Sequence, residues 1–312
     1  MQKMLLNNPQ ARENAPLHPA SSHLIPLLVI AGPTASGKTS LAIALCEALN
    51  GEVVSADSMQ VYRGMDIATA KPRPDETARV RHHLISFVAP GERFSVASYA
   101  PMAYAAIADI HARGKLPILC GGTGLYIRAV TEHWQFTPGE IEHDINGTWD
   151  ELREIDPEAA AKIHPNDQKR ISHAIALYHT TGVTLTEQNL RSREVPPPYR
   201  AKMMFLNARD RQVLYDRIDA RVDFMLASGL VEEARLGTKG TAAQAIGHKE
   251  LEPYLRGECT LDEAVERLKQ ETRRYAKRQL SWFRRMAREW GDDCVELFVE
   301  DEDIIDQAIA WL

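Results

Sequence analysis

The chain has 312 residues, of which 44% are hydrophobic and 26% charged, a composition typical of a globular protein with a sizeable core. No apolar run reaches the ~18 residues that span a bilayer, and residues 1–25 lack the apolar segment of a secretory signal. We therefore expect a cytoplasmic protein with no membrane partner and a disordered tail at 1–25. The formal net charge of −6 conceals a strongly basic stretch near the C-terminus.

The four cysteines lie far apart in the sequence. None of Cys46, Cys120, Cys259 and Cys294 forms a Cys-x-x-Cys pair, the spacing that structural zinc sites and redox motifs use. We therefore expect four reduced, buried thiols.

Strand-like and helix-like stretches alternate in the first half of the chain. Short apolar runs predict strands at 26–32, 51–58 and 115–122, and the intervening stretches predict helices at 38–49 and 95–114. This alternation is typical of a parallel sheet with helices on both faces. The sequence thus predicts an α/β fold.

The pattern changes between residues 136 and 198, where no strong strand run occurs. Two short helices are predicted at 156–167 and 167–182, and the proline-rich stretch 193–200 ends this section. We predict a helical insertion at 136–198, within a core formed by 26–135 and 199–312.

After the insertion the chain is predicted to return to the sheet at 203–208 and then to form an amphipathic helix at 214–229. Four apolar residues of that helix recur at helical spacing, namely Leu214, Ile218, Val222 and Met225. A last long helix is predicted to start at Thr260, which forms a capping box with Glu263, and to end before Gly291. Thirty helical residues would extend over about 45 Å.

Residues 32–39, GPTASGKT, match the phosphate-binding loop G-x-x-x-x-G-K-[ST], with a predicted strand before and a helix after. Its backbone amides and the helix N-terminus would face phosphate oxygens. Lys38 would reach the terminal phosphate and Thr39 would help hold Mg²⁺. Such a P-loop commonly binds nucleotides such as ATP, so the motif alone does not select a reaction.

The acidic residue expected after a later strand in ATP-consuming P-loop enzymes is missing, because 115–122 is followed by Thr123. An aspartate, Asp57, instead follows the strand at 51–58. Loops at the carboxyl ends of parallel strands line the ligand crevice, so Asp57 and Thr123 are expected to converge there. Local sequence equally allows Asp57 to be a turn-forming residue.

Residues 267–288 are dense in Lys and Arg and contain one acidic residue, Glu271. This stripe favours binding to a nucleic-acid backbone, and a solvated helix face is the alternative. A P-loop combined with a basic helix is compatible with a small-molecule kinase, a nucleic-acid-dependent ATPase or a nucleic-acid-modifying transferase. The missing aspartate argues against the two nucleotide-consuming classes.

Six motifs occur in the order seen in the tRNA dimethylallyltransferases, also called tRNA isopentenyltransferases, of the IPP transferase family. They are GPTASGKT, SADSMQVYRGMDIATAKP, GGTGLY, IHPND, QAIGHKEL and KRQLSWFR. The chain resembles this family over about 27–284.

The resemblance implies a P-loop NTPase-like α/β core with a helical insertion that contacts tRNA. It also implies transfer of the dimethylallyl group of dimethylallyl diphosphate to the exocyclic amine of adenosine 37 of tRNA, beside the anticodon, with release of pyrophosphate. We expect Mg²⁺ as cofactor, the anticodon stem-loop as partner, and a monomer.

The resemblance also implies residue roles. Asp57 would be the base that accepts the amine proton, Thr123 would orient the reacting centre, and Arg217 would act on the diphosphate. Arg128 is a further diphosphate ligand, and Arg221 a weaker one. The remaining donor-binding residues are those of the P-loop: Gly32, Pro33, Thr34, Ala35, Ser36, Gly37, Lys38 and Thr39.

Four segments resemble the tRNA-contacting stretches of the family. The residues are Asp57, Ser58, Met59, Gln60, Lys169, Arg170, Ile171, Ser172, His173, Gln244, Ala245, Ile246, Gly247, His248, Lys249, Lys277, Arg278, Gln279, Leu280, Ser281, Trp282, Phe283 and Arg284. The chain departs from many bacterial members between GGTGLY and IHPND, where its sequence is shorter. It also has Lys169 and His173 where Gln and Arg are common.

Overall fold

A six-stranded parallel β-sheet forms the centre of the computed structural model, which describes residues 24–136, 147–237 and 239–312. The strands are β1 Ile25–Ala31, β2 Gly51–Ser55, β3 His82–His83, β4 Leu116–Gly121, β5 Tyr199–Asn207 and β6 Cys294–Phe298. Their spatial order is β3-β2-β4-β1-β5-β6. The predicted α/β fold is confirmed. The predicted disordered tail, except for its last two residues, lies outside the described residues.

Thirteen helices surround or extend this sheet in the described part of the chain. They are α1 Lys38–Leu49, α2 Pro74–Arg79, α3 Val96–Ala112, α4 Gly124–Thr131, α5 Trp149–Ile155, α6 Pro157–Lys162, α7 Gln168–Thr181, α8 Leu185–Arg191, α9 Arg211–Ala227, α10 Leu230–Arg235, α11 His248–Leu255, α12 Leu261–Trp290 and α13 Ile304–Trp311. None of the helices in these ranges is long and apolar enough to cross a lipid bilayer.

The sheet is covered on both faces because successive side chains of a strand point in opposite directions. Leu27 and Val29 of β1 pack in one cluster with residues of α3, α4 and α12. Leu28 and Ile30 pack in a second cluster with residues of α1. The strands β2, β4 and β1 are neighbours in this sheet. Because they are parallel, their carboxyl ends lie side by side, and the loops that follow them meet at one edge.

The strand predictions failed mainly at the sheet margins. The edge strands β3 and β6 were missed, and β5 starts at Tyr199 rather than 203. Pairing with β1 extends this strand from Tyr199 onward, although exposed Arg200 interrupts its apolar pattern. The proline-rich stretch predicted at 193–200 therefore runs into the sheet.

Four helices, α5 to α8, lie between α4 and β5 and pack around a separate apolar cluster. The two predicted helices correspond to α6 and α7, and α5 and α8 were missed. Both missed helices begin with a capping box, at Thr148 and at Thr184, a signal that the sequence already carried. The domain boundary at 136–198 stays a prediction, and residues 137–146 lie outside the described part.

The longest helix, α12, has the predicted capping box at Thr260, where the Glu263 N–H donates to the threonine hydroxyl at 3.3 Å. A stripe of small, polar and apolar side chains along the helix is buried: Ala264, Leu268, Thr272, Ala276, Gln279, Phe283 and Met286. Ion pairs from Arg273 to Asp219 and from Lys269 to Asp223 fasten the helix to α9. On α9 itself, the four predicted apolar residues are the buried ones.

All four cysteines are free. Cys46 and Cys120 are buried as predicted, whereas Cys259 and Cys294 are only half-buried, so the prediction of burial was wrong for those two.

Candidate active site

The P-loop joins β1 to α1 and closes around its own Pro33 carbonyl. The Lys38 Nζ donates to that oxygen at 2.6 Å, and the Ser36 hydroxyl donates to it at 2.8 Å. Gly37 adopts a left-handed conformation (φ +84°) immediately before α1. A Cβ at Gly32 would lie 2.7 Å from the Leu206 carbonyl oxygen, so only glycine lets the loop pass β5 this closely.

Lys38 lies in a partly enclosed position where water solvates its ammonium poorly. Burial lowers the pKa of Lys38 to about 8, and the nearby guanidinium of Arg221 acts in the same direction. An anion bound in the loop would favour the charged form of the lysine. This electrostatic setting suits a phosphate-bearing ligand.

Asp57 lies in the turn that follows β2. Its Oδ1 accepts hydrogen bonds from the Met59 N–H at 2.9 Å and the Gln60 N–H at 3.3 Å. The turn-forming alternative therefore describes one carboxylate oxygen correctly. The hydrogen bonds found among the described residues use Oδ1, so Oδ2 could interact with a ligand and the two interpretations of Asp57 are compatible.

The glycines around Thr123 allow three other groups to approach the backbone closely. A Cβ would lie 2.2 Å from the Ala56 oxygen at Gly121, 2.4 Å from Gln279 Nε2 at Gly122, and 2.1 Å from Trp282 Nε1 at Gly124. No side chain fits at these distances. These glycines, at 121, 122 and 124, form a second glycine motif. Its role is packing, because it lets α12 lie against the carboxyl end of the sheet.

Thr123 contacts the turn that holds Asp57, but it is not among the residues that line the cavity described below, so its predicted convergence with Asp57 on a ligand stays a prediction. The Ser58 N–H donates to Thr123 Oγ1 at 3.0 Å, and the Thr123 N–H donates to the Ala56 carbonyl at 3.1 Å. Tyr275 of α12 lies close enough to Thr123 to influence it electrostatically. Hydrogen bonds thus join the loops after β2 and β4 to each other.

Gln279 bridges the P-loop and the second glycine motif. Its Oε1 accepts from the Thr34 N–H at 2.8 Å, and its Nε2 donates to the Gly122 carbonyl at 2.9 Å. The side chain is buried, with 6% of the residue exposed. Gln279 also lines the cavity described below, and its contact with tRNA stays a prediction.

A cavity of about 670 Å³ opens above these loops. Its walls include Thr34, Ala35, Gly37, Lys38, Thr39, Asp57, Ser58, Met59, Gln60, Ala68, Thr69, Ala70, Arg217, Arg221, Gln244, Ala245, Ile246, Gly247, Tyr275 and Arg278. The volume lies within the range of small-molecule sites. The P-loop and Asp57 therefore face one shared space.

Two arginines of α9, one helical turn apart, contribute positive charge to the cavity. Arg217 is exposed, whereas Arg221 is half-buried, and burial lowers the pKa of Arg221 while Asp57 raises it. The sequence ranked Arg221 below Arg217 because exposed helix arginines often form only i,i+4 pairs. The tertiary structure instead gives both arginines the same cavity to face.

Arg128 is the one arginine among the predicted diphosphate ligands that lies away from the cavity. Its guanidinium pairs with Glu132 at 2.5 Å and with Glu289 at 3.0 Å, and the residue is absent from the walls of the cavity. Spacing along α4 could not reveal this, because Glu289 comes from the distant end of α12. The structure therefore does not bring Arg128 to the P-loop.

The predicted tRNA-contacting segments divide into cavity walls, outer surface and buried core. Besides the cavity residues, Lys277, Arg278, Ser281, Trp282 and Arg285 line a second, open depression, and Lys169, Arg170, His173, Lys249 and Arg284 are exposed. Phe283 and Ile171 are fully buried, His248 is buried, and Leu280 packs against the core. The side chains of Phe283, Ile171 and His248 therefore lie inside the fold, and contact of these three residues with tRNA stays a prediction. Ser172 accepts a hydrogen bond from Gln168.

Sequence reasoning missed Tyr275 and the wall formed by Ala68, Thr69 and Ala70. Tyr275 lies one helical turn before Gln279. A prediction that Gln279 is buried would therefore have put Tyr275 on the inner face of α12 as well. Burial raises the pKa of Tyr275 well above its usual range, and the phenol therefore stays protonated. The wall at 68–70 has no periodic pattern that could have indicated it.

The amino-acid sequence of this chain matches two known protein families. Residues 60–286 match the family described as IPP transferase, and residues 25–92 match that described as isopentenyl transferase. The chain belongs to the IPP transferase family. Among family members, the tRNA dimethylallyltransferase of Halalkalibacterium halodurans is 48% identical over 281 residues, which cover 84% of this chain and 88% of the relative. That of Roseiflexus castenholzii is 46% identical and covers 92% and 97%.

Solved structures of IPP transferases share the fold. The full-length tRNA isopentenylpyrophosphate transferase of Bacillus halodurans is 41% identical, covers 92% of this chain and 96% of its own, and has a TM-score of 0.67. A eukaryotic dimethylallyltransferase, captured in crystallographic snapshots acting on tRNA, is 30% identical and covers 92% of this chain and 77% of its own, with a TM-score of 0.78. The α/β architecture of this chain is therefore that of the family.

Proposed function

We propose that this chain transfers the dimethylallyl group of dimethylallyl diphosphate to the exocyclic amine of adenosine 37 of tRNA, beside the anticodon, and releases pyrophosphate. Relatives that bear the name tRNA dimethylallyltransferase match it at 46–48% identity over most of its length. Within the chain, the observation that carries the proposal is that Asp57 and the P-loop face one cavity.

The P-loop forms the donor end of the proposed site. Its amides, the N-terminus of α1 and the ammonium of Lys38 bind the diphosphate, and Arg217 and Arg221 approach from α9. Negative charge gathers on the diphosphate as its bond to the allylic carbon breaks. Preorganised positive groups stabilise that developing charge more than they stabilise the bound substrate.

Asp57 acts at the acceptor end as the general base. The amine nitrogen of adenine is a weak nucleophile because its lone pair is delocalised into the ring. As it attacks the allylic carbon, a carbon–nitrogen bond forms, the carbon–oxygen bond breaks, and the electron pair leaves with pyrophosphate. Asp57 takes the amine proton, and Thr123, which contacts the same turn, orients the reacting centre.

Magnesium fits the donor end through the Thr39 hydroxyl at the start of α1. Mg²⁺ commonly keeps few protein ligands when substrate phosphates supply the others. The described residues contain no group of three or more His, Cys, Asp or Glu side chains that could hold a metal ion, so the diphosphate would have to supply further ligands. When bound, Mg²⁺ would add positive charge beside the leaving group.

The tRNA would bind across the outer face of α12, with adenosine 37 leaving the stacked anticodon loop to enter the cavity. Lys277, Arg278 and Arg284 are exposed cations on that face, and Trp282 offers an aromatic surface. The exposed residues Lys169, Arg170, His173 and Lys249 extend the proposed footprint. The protein's cytoplasmic location and monomeric state stay predictions.

A small-molecule kinase is the alternative from another class. Kinases and ATPases of the P-loop type need an acidic Mg²⁺ ligand near the phosphates, whereas β4 here leads into Gly122 and Thr123. The proposal is tested by incubating the purified protein with unmodified tRNA, Mg²⁺ and labelled dimethylallyl diphosphate. Transfer of label to tRNA is the expected result, and ATP hydrolysis without any transfer would refute it.

A further inference from the structure

Glu233 of α10 is a buried carboxylate that holds a loop of the cavity wall. Only 9% of its side chain is exposed. Its Oε2 accepts hydrogen bonds from the N–H groups of Asp66 and Ile67, each at 2.7 Å, and its Oε1 accepts from the N–H of Ala68 at 2.9 Å. Three successive amides thus converge on one carboxylate, and bonds of this charge-assisted kind are among the stronger ones in proteins.

The same carboxylate also holds a second wall segment. The imidazole Nε2–H of His248 donates to Glu233 Oε1 at 3.2 Å, and 5% of the histidine side chain is exposed. His248 directly follows Gly247, where a Cβ would lie 3.3 Å from the Cβ of Ala68. The segments at 66–68 and 244–248 therefore touch each other and share one anchor.

Hydrogen bonds continue from this anchored loop to the turn that carries Asp57. The Gln60 side-chain amide donates to the carbonyls of Thr69 at 3.3 Å and Ala70 at 3.4 Å. The backbone N–H of Gln60 donates to Asp57 Oδ1. A displacement of the loop at 66–70 would therefore reach the carboxylate that faces the acceptor.

We propose that Glu233 is a positioning residue for the acceptor substrate. Glu233 is not itself a wall residue, but it acts through Ala68 and Gly247, which line the cavity. By anchoring both segments, Glu233 sets the distance between Asp57 and the cavity wall that would receive the adenine. The inference rests on the proposed function, because it assigns these walls to the adenine rather than to the diphosphate, which the P-loop holds.

The variant Glu233→Gln tests this role with little change in shape. A glutamine has only one acceptor oxygen. Its NH₂ group would face backbone N–H groups at 66–68, with which it cannot form a hydrogen bond. We expect kcat/KM for tRNA to fall about 10- to 100-fold, since small misplacements of reacting groups carry costs of this size. The KM for dimethylallyl diphosphate should not change. Glu232→Gln, at the exposed neighbouring position, is the matched control and should behave as wild type.

Thermal unfolding of each variant shows whether it folds. If Glu233→Gln does not fold, His248 provides the second test: His248→Leu should lower kcat/KM for tRNA, while His248→Gln, which retains a donor, should preserve it. Equal losses for tRNA and donor, or no loss in the folded variants, would overturn the positioning role. Wild-type protein that transfers no label would instead refute the proposed function, so the two failures are distinguishable.

Discussion

Gln279 on α12 accepts a hydrogen bond from the backbone N–H of Thr34 in the P-loop, at 2.8 Å. Its amide simultaneously donates to Gly122 at 2.9 Å. The helix that presents the basic surface is therefore bonded directly to the loop proposed to hold the diphosphate. One buried side chain fixes three segments that are far apart in the chain.

Replacing Gln279 with leucine should impair donor binding, because the Thr34 N–H and the Gly122 carbonyl would lose their buried partner. We expect kcat/KM for dimethylallyl diphosphate to fall about 10- to 100-fold, equivalent to the 1–3 kcal/mol cost of an unsatisfied group. Steady-state kinetics with varied donor measures the change. Gln270→Leu, at an exposed position of the same helix, is the control and should leave the kinetics unaltered.

Asp57→Asn should abolish most turnover while preserving the fold. The asparagine oxygen can still accept from Met59 and Gln60, but the amide cannot take the amine proton. We expect a loss in the single-turnover rate of about 100-fold or more. Binding of tRNA, followed by filter retention, should be largely unchanged. Full activity in this variant would show that Asp57 serves only the turn.

The KM for dimethylallyl diphosphate should rise above about pH 8. Burial lowers the pKa of Lys38 to about 8, so the unliganded protein loses this cation as the pH rises through that value. Below it, the charged ammonium is present and binding of the anion should be strongest. Lys38→Arg keeps its charge throughout and should lack this rise, even if its KM is higher at every pH. A rise that persists in the arginine variant would assign the titration to another group.

Arg284→Ala should weaken tRNA binding and reduce its dependence on salt. Arg284 is exposed on α12 and has no ion-pair partner in the described part of the chain. If it contacts one phosphate, the slope of log K against log salt should fall by about 1. Arg256→Ala is the control, since Arg256 is paired with Glu252 and Glu258 outside the predicted footprint. An unchanged slope would identify this face of α12 as solvated surface.

Glu52→Gln should destabilise the fold without altering the proposed chemistry. Glu52 is 2% exposed near the start of β2, and receives Arg113 at 2.6 Å, Lys115 at 2.9 Å and His83 at 2.8 Å. The variant would remove the common partner of these three side chains, and urea unfolding at neutral pH measures the loss of stability, which is reduced because Arg113 and Lys115 are about one third exposed to solvent.

The contribution of Glu52 should also depend on pH. The pKa of Glu52 lies far below its usual value of 4.5, mainly because Arg113 donates hydrogen bonds to the carboxylate. The carboxylate therefore stabilises the fold fully above that usual value, and the contribution declines as the unfolded chain becomes protonated at lower pH. The stability difference between wild type and Glu52→Gln should accordingly shrink below about pH 4.5. A difference independent of pH would point to packing instead.

Local sequence was sufficient where the determining interactions are local. The P-loop motif, helix α1 and the capping box of α12 depend on residues within a few positions of one another, and all three lie where predicted. The buried stripe of α9 follows from helical spacing alone. The short edge strands β3 and β6 were missed because two and five residues give too little pattern to detect.

Short motifs and the periodicity of apolar residues were enough to predict the fold class, the P-loop, the family resemblance and the position of Asp57 after β2. The surroundings of the individual side chains depend on the tertiary structure. It buried Gln279 against Thr34, paired Arg128 with Glu289, turned Arg221 toward the cavity and set Glu233 under three amides. These contacts join residues far apart in the chain, and neither spacing nor composition encodes which distant segment a side chain will meet.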